Sequence, residues 1–151
     1  MAVRRERPYS AFNFLVQLGD GADPSAAEAG FQEASGMGIE VTVQEYRAGN
    51  SAVNSSMKII GTHKVSDVTL KRGVIGTLDL YEWLDAVRTG RQGMGRQVII
   101  ILRSEDRETE AMKWKLTNAV PIKYTGPALN GKGTDVAIEE LVLSAELIEL
   151  M

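Results

Sequence analysis

Few side chains in this sequence could do chemistry. The single histidine, His63, lies between Thr62 and Lys64, in a stretch that reads as a polar turn. A histidine works as a base only beside a nucleophile and an orienting group, and no such pair is marked here. One imidazole alone makes no metal site either. There is no cysteine, so disulfides, thiol chemistry and Cys-ligated zinc or iron–sulfur sites are excluded. Adjacent carboxylates occur at Glu105-Asp106 and Glu139-Glu140; both read as charge on a solvated turn or strand and not as a glycosidase pair. Glycines abound, yet Gly126 to Thr134 lacks the phosphate-loop spacing. Gly90 to Gly95 leads into a strand and offers a phosphate no helix N-terminus. The residues point to no catalytic group, no metal and no cofactor, and hence to a protein that is not an enzyme.

Charge and composition narrow the class further. The net charge of −3 argues against a dedicated nucleic-acid binder. The one dense basic cluster is Arg4, Arg5 and Arg7, at a terminus, where a solvated, fraying end and a contact role are equally good readings. With 151 residues, 44% hydrophobic and 25% charged, the chain reads as one globular domain with a real core. Ala11 to Leu18 follows basic residues as an export signal would, but Asn13 and Gln17 interrupt it. No stretch is long and apolar enough to span a bilayer.

The elements that would position these residues are mostly strands. Tyr9 to Leu18 places Phe12, Phe14, Val16 and Leu18 on one face. Gly19 to Ala29 has loop composition, and Phe31 to Ala34 a short strand stopped by Ser35-Gly36. Ile39 to Tyr46 alternates. Arg47 to Met57 is polar and rich in breakers, too long for a plain hairpin tip, and reads as a projecting hairpin or loop at about 46–58. Val65 to Lys71 is a strand ended by Gly73. Thr77 can N-cap a helix from Leu78 to Thr89, with Asp79 near its positive end and Leu80, Trp83, Leu84 and Val87 on its buried face; Gly90 stops it. Arg91 to Arg96 reads as a loop. Val98 to Leu102 is continuously apolar, so both faces are covered, in the core or at a subunit contact. Ala111 to Thr117 alternates and forms a hairpin with it across Ser104 to Glu110. Pro121 to Gly133 reads as a loop. Thr134 to Leu150 divides evenly between helix by propensity and strand by alternation, the strand requiring a bulge at Glu139-Glu140.

Five motifs in order carry a resemblance. Phe12-Asn13-Phe14 resembles an opening F-x-F strand. Phe31 to Gly36 resembles F-x-E-x-S-G, and Glu45-Tyr46-Arg47-Ala48-Gly49 resembles E-Y-R-x-G. Thr69 to Gly73 followed by Trp83 resembles T-L-K-R-G … W. Asn118 to Pro127 leading into Val136 to Leu141 resembles N-A-W-P-x-K-Y-x-G-P … V-A-I-E-E-L. Together they resemble the tail-tube family of contractile phages and extracellular contractile injection systems. Val120 stands where many members have Trp, and the terminal Leu147 to Met151 lacks a glycine common there.

The resemblance implies a mainly β (α+β) fold: a small barrel or sandwich of two packed antiparallel sheets with one flanking helix at about 78–89, akin to the type VI secretion tube protein. It makes Thr134 to Leu150 a strand. It implies a structural subunit made in the bacterial cytoplasm without a signal peptide, and no stable membrane association. Its homohexameric rings stack into a hollow tube, with sheath, baseplate, spike and terminator proteins as partners and protein or DNA cargo in the lumen. Assembly contacts are expected from Tyr46, Arg47, Gly49, Asn50, Ser51 and Asn54 in the projecting segment, from Arg4 and Arg5, and from Leu147 and Leu150. Two other readings stand beside it: a baseplate or tube-initiator paralogue, and a monomeric ligand-binding β-barrel.

Overall fold

The computed structural model describes residues 2–19, 28–76, 78–90 and 95–151. Its strands are β1 (Phe14–Leu18), β2 (Glu28–Ala29), β3 (Glu33–Ser35), β4 (Ile39–Tyr46), β5 (Met57–Val65), β6 (Val68–Gly73), β7 (Arg96–Arg103), β8 (Glu110–Thr125), β9 (Ile138–Ser144) and β10 (Leu147–Leu150). The helix α1 (Asp79–Arg88) lies between β6 and β7. Eight strands form one antiparallel sheet in the order β2-β1-β7-β8-β9-β6-β3, with β10 also on β8; β4 and β5 form a second, two-stranded sheet.

The long strand β8 decides the shape. Its first half pairs with β7 and β10, its second half with β9. Between them the register shifts twice: Arg96 faces Ala119 but Val98 faces Leu116, and Pro121 faces Leu143 but Lys123 faces Val142. Each extra residue is a bulge that bends the strand, and Asn118 takes the left-handed conformation at φ 52°. Pro121, which has no N–H to give a ladder, sits at the second irregularity. Bent there, the sheet closes its two halves on one core. Val16, Val98, Ile100, Leu116 and Ile148 come from one half, and Val68, Leu70, Leu141 and Leu143 from the other. Among the described residues the strand order stays open, ending at β2 and β3, so the architecture is a sandwich and not a closed barrel.

Helix α1 covers this core with Leu80 and Trp83, both buried. Burying each such side chain stabilises by about 1.5–3 kcal/mol. Asp79 and Glu82 lie in its first turn and Arg88 in its last, matching the macrodipole. The expected cap, Thr77, lies outside the described residues; the observed N-cap, Leu78, makes no side-chain bond. Gly90, at φ 81°, ends the helix as expected. Among the described residues no helix is long and apolar enough to cross a membrane.

Several expectations give way. Phe12 lies in a turn before β1 and is exposed. Of the loop from Gly19 to Ala29, residues 20–27 lie outside the described residues, while Glu28–Ala29 pairs with β1. Of the loop from Arg91 to Arg96, residues 91–94 lie outside the described residues, and Arg96 already pairs with Ala119. Val98 and Ile100 are in the core as expected, and Ile101 is buried on the opposite face. Pro121 to Thr125 belongs to β8, because a bulge tolerates proline. No bulge interrupts Glu139-Glu140, which pair in step with Arg72 and Lys71. The chain breaks instead at Ala145-Glu146, so that β9 serves one half of the sheet and β10 the other. His63 is in β5, opposite Val41, and not in a turn.

Candidate assembly surfaces

The β4–β5 pair grows out of the main sheet. β3 and β6 pair through Glu33–Lys71 and Ser35–Thr69. In the same register, Ile39 then faces Val65 and Val41 faces His63. The Ser66 amide donates to the Gly38 carbonyl between them at 3.0 Å. One two-stranded ribbon therefore runs from the sheet into the hairpin. Its pivot is Gly36, at φ 87°, where a Cβ would collide with the Asp67 carbonyl oxygen; only glycine fits.

Directly paired residues share a face. Ile39, Val41, Val43, Ile60 and Val65 thus line one side of the ribbon, while Ile59, Tyr46 and Met57 lie on the other. All but Val65, which packs against the core, are exposed, Val43 by 50% and Ile60 by 76%. Among the described residues β4 and β5 pair only with each other. The connecting residues are held by their own contacts. Arg47 donates to the carbonyls of Val53 (3.2 Å) and Ser51 (3.3 Å), and the Ser51 hydroxyl donates to Val53 at 3.1 Å.

Both termini settle on the first half of β8. The Val3 amide donates to the Ala111 carbonyl (2.9 Å), and Met151 and Lys113 exchange backbone bonds. Arg5 clasps the N-terminal segment: its guanidinium meets Glu105 at 2.7 and 2.8 Å, donates to the carbonyls of Arg7 and Pro8, and stacks 3.8 Å from the Tyr9 ring. Arg5, joined by the Ser10 hydroxyl and amide, holds the Glu105 carboxyl well below the usual carboxylate range. Asp106 accepts from the Glu108 and Thr109 amides at 2.9 and 3.0 Å, so this acidic pair builds a turn.

The second acidic pair is a larger surprise. Glu139 is on the buried face of β9, where its carboxylate accepts from Arg72 Nε at 2.6 Å and from the Tyr124 hydroxyl at 2.7 Å. Arg72 also pairs with Asp79 at the start of α1. Burial works against the Arg72 charge, but hydrogen bonds to Asp79 and Glu139 outweigh it and raise its pKa. The bond to Glu139 likewise raises that of Tyr124. This network fastens helix to sheet.

The ten sequence-predicted contact residues fall in two clusters. Tyr46, Arg47, Gly49, Asn50, Ser51 and Asn54 gather at the ribbon's end, with Tyr46 opposite Met57. Arg4 and Arg5 lie near β8 with Leu147, which faces Thr117, and Leu150, which faces Trp114. Arg5 is engaged within its own chain. Sequence reasoning missed the apolar stripe of Ile39, Val41, Val43 and Ile60. Its alternation was visible, but the same pattern marks a core strand.

Residues 10–149 match the family model of the T4-like virus tail tube protein gp19. No curated protein sequence matches the chain. Among solved structures, it is 26% identical to a chain of the PVC extracellular contractile injection system sheath–tube complex in the extended state. That match covers 97% of this chain and 93% of the other, with a TM-score of 0.84. It is also 26% identical to a chain of the anti-feeding prophage tube terminating cap, over 100% and 95% of the two chains, TM-score 0.84. Hcp1 from Flavobacterium johnsoniae shares the fold alone, at 12% identity over 92% and 94%, TM-score 0.59.

Proposed function

The chain belongs to the family of the T4-like virus tail tube protein gp19, and on that footing we propose that it is the repeating subunit of the inner tube of a contractile injection particle or phage tail. Six copies form a ring, and rings stack into a hollow tube that carries protein or DNA cargo. Sheath surrounds the tube, and baseplate, spike and terminator proteins meet its ends. The observation that supports this best is the β4–β5 ribbon. A lone two-stranded hairpin is marginally stable in water, and this one exposes large apolar side chains on both strands. A second copy is the natural cover. The sheet ends at β2 and β3, open among the described residues, offer neighbours further strand pairing, which also removes an aggregation hazard.

A second reading, a paralogue that forms a single ring at one end of the tube, is favoured by the match to a chain of the cap structure. One experiment separates the two. The protein is expressed alone, sized by gel filtration and imaged by negative-stain electron microscopy. Hollow tubes of six-fold rings are expected. Single rings that never stack indicate the end component, and a monomer at high concentration, with or without baseplate proteins, overturns both.

A further inference from the structure

We propose that the β4–β5 ribbon of one copy docks on the surface formed by Val74, Ile75, Leu78 and Val136 of the next copy along the tube. The inference rests on the tube reading above and adds to it the receiving surface. These four side chains are all exposed, Ile75 and Val136 each by 76%. They are drawn together where the Val74 amide donates to the Ala137 carbonyl at 2.9 Å, beside the first residues of α1. This is a second apolar surface left exposed among the described residues.

Its place in the fold selects the partner. The ribbon leaves the sheet at the Val68 end of β6, because β4–β5 continues the β3–β6 register. Val74 and Ile75 follow the Gly73 end of the same strand. A six-residue strand spans about 20 Å. The ribbon extends away from one end of it, and the patch lies beyond the other. Within one molecule the two surfaces lie beyond opposite ends of β6, and both stay exposed. Two different surfaces that meet head to tail make a heterologous contact, which continues as a filament unless rotation closes it. Charge has the matching sign. Arg47, Lys58 and Lys64 outnumber Glu40 and Glu45 on the hairpin, while Glu82 and Asp85 outnumber Arg88 on α1, where Asp79 is engaged with Arg72.

The absence of cysteine makes the test direct. The double variant Ile60→Cys/Ile75→Cys is assembled, oxidised and run on a denaturing gel, with Ile60→Cys/Val136→Cys as a second pair. Ile60→Cys alone and Ile60→Cys/Phe12→Cys serve as controls. The expected result is a reducible ladder extending beyond the size of one ring for the first two variants and not for the controls. A ladder that stops at one ring puts the contact within the ring and overturns the proposal. So does cross-linking in Ile60→Cys alone, or no ladder when microscopy shows tubes; these leave the tube reading intact. If the unsubstituted protein forms neither rings nor tubes, the reading beneath the proposal falls, and the proposal with it.

Discussion

Arg72 is 3% exposed and Glu139 5% exposed, so each is held in place by the other's charge. Burying two ions costs more than their attraction returns unless hydrogen bonds complete both. Here Asp79 and Tyr124 supply them. Removing one partner leaves the other buried and unmatched. Glu139→Ala should therefore cost about 3 kcal/mol of subunit stability, read by urea denaturation of the unassembled protein. Arg72→Met with Glu139→Leu should lose clearly less, since no buried charge is left stranded and Asp79, which loses its contact with Arg72, is half exposed to water. The sequence showed Glu139-Glu140 only as neighbouring acids. Alternation puts one of the two inward, but nothing local says which, and the answer depends on where Arg72 lands on the adjacent strand.

At the level of elements, the ribbon's direction depends on one residue. Gly36 joins β3 to β4 in a backbone conformation that L side chains rarely adopt, against the Asp67 carbonyl. Gly36→Ala should lower stability by about 2 kcal/mol or more, through both the positive φ and the collision. A thermal melt of the subunit measures this. Strand β8 shows the complementary case. Its bulges and the left-handed Asn118 bend one strand through both halves of the sheet. By sequence Pro121 reads as a loop residue for the reason that makes it suitable there: it cannot donate to a ladder.

For the whole molecule, folding and assembly draw on different residues. The core comes from β1, β6 to β10 and α1, and the ribbon's end contributes nothing to it. Deleting Gly49 to Asn54 should leave a subunit with an unchanged melt by circular dichroism, yet no long tubes by electron microscopy. Unchanged tubes would remove this segment from the stacking contact. The termini behave differently. They are expected to make intermolecular contacts, and here they are tied to β8 of their own chain, a meeting that their separation in sequence hides.

By itself the sequence determined the β-rich class, the helix within a residue at each end, the stop at Gly90, and, through five ordered motifs spread along the chain, the family. These are local or additive signals: periodicity, caps, breakers, short words. The tertiary structure alone decided which face of each strand is covered and by what. It turned Glu139 inward, divided Thr134 to Leu150 between two halves of a sheet, and left the alternating Ile39 to Tyr46 exposed. A period of two names the residues that share a face. Whether that face meets the chain's own core, another copy or water depends on strand pairings between residues far apart in sequence, which no local pattern encodes.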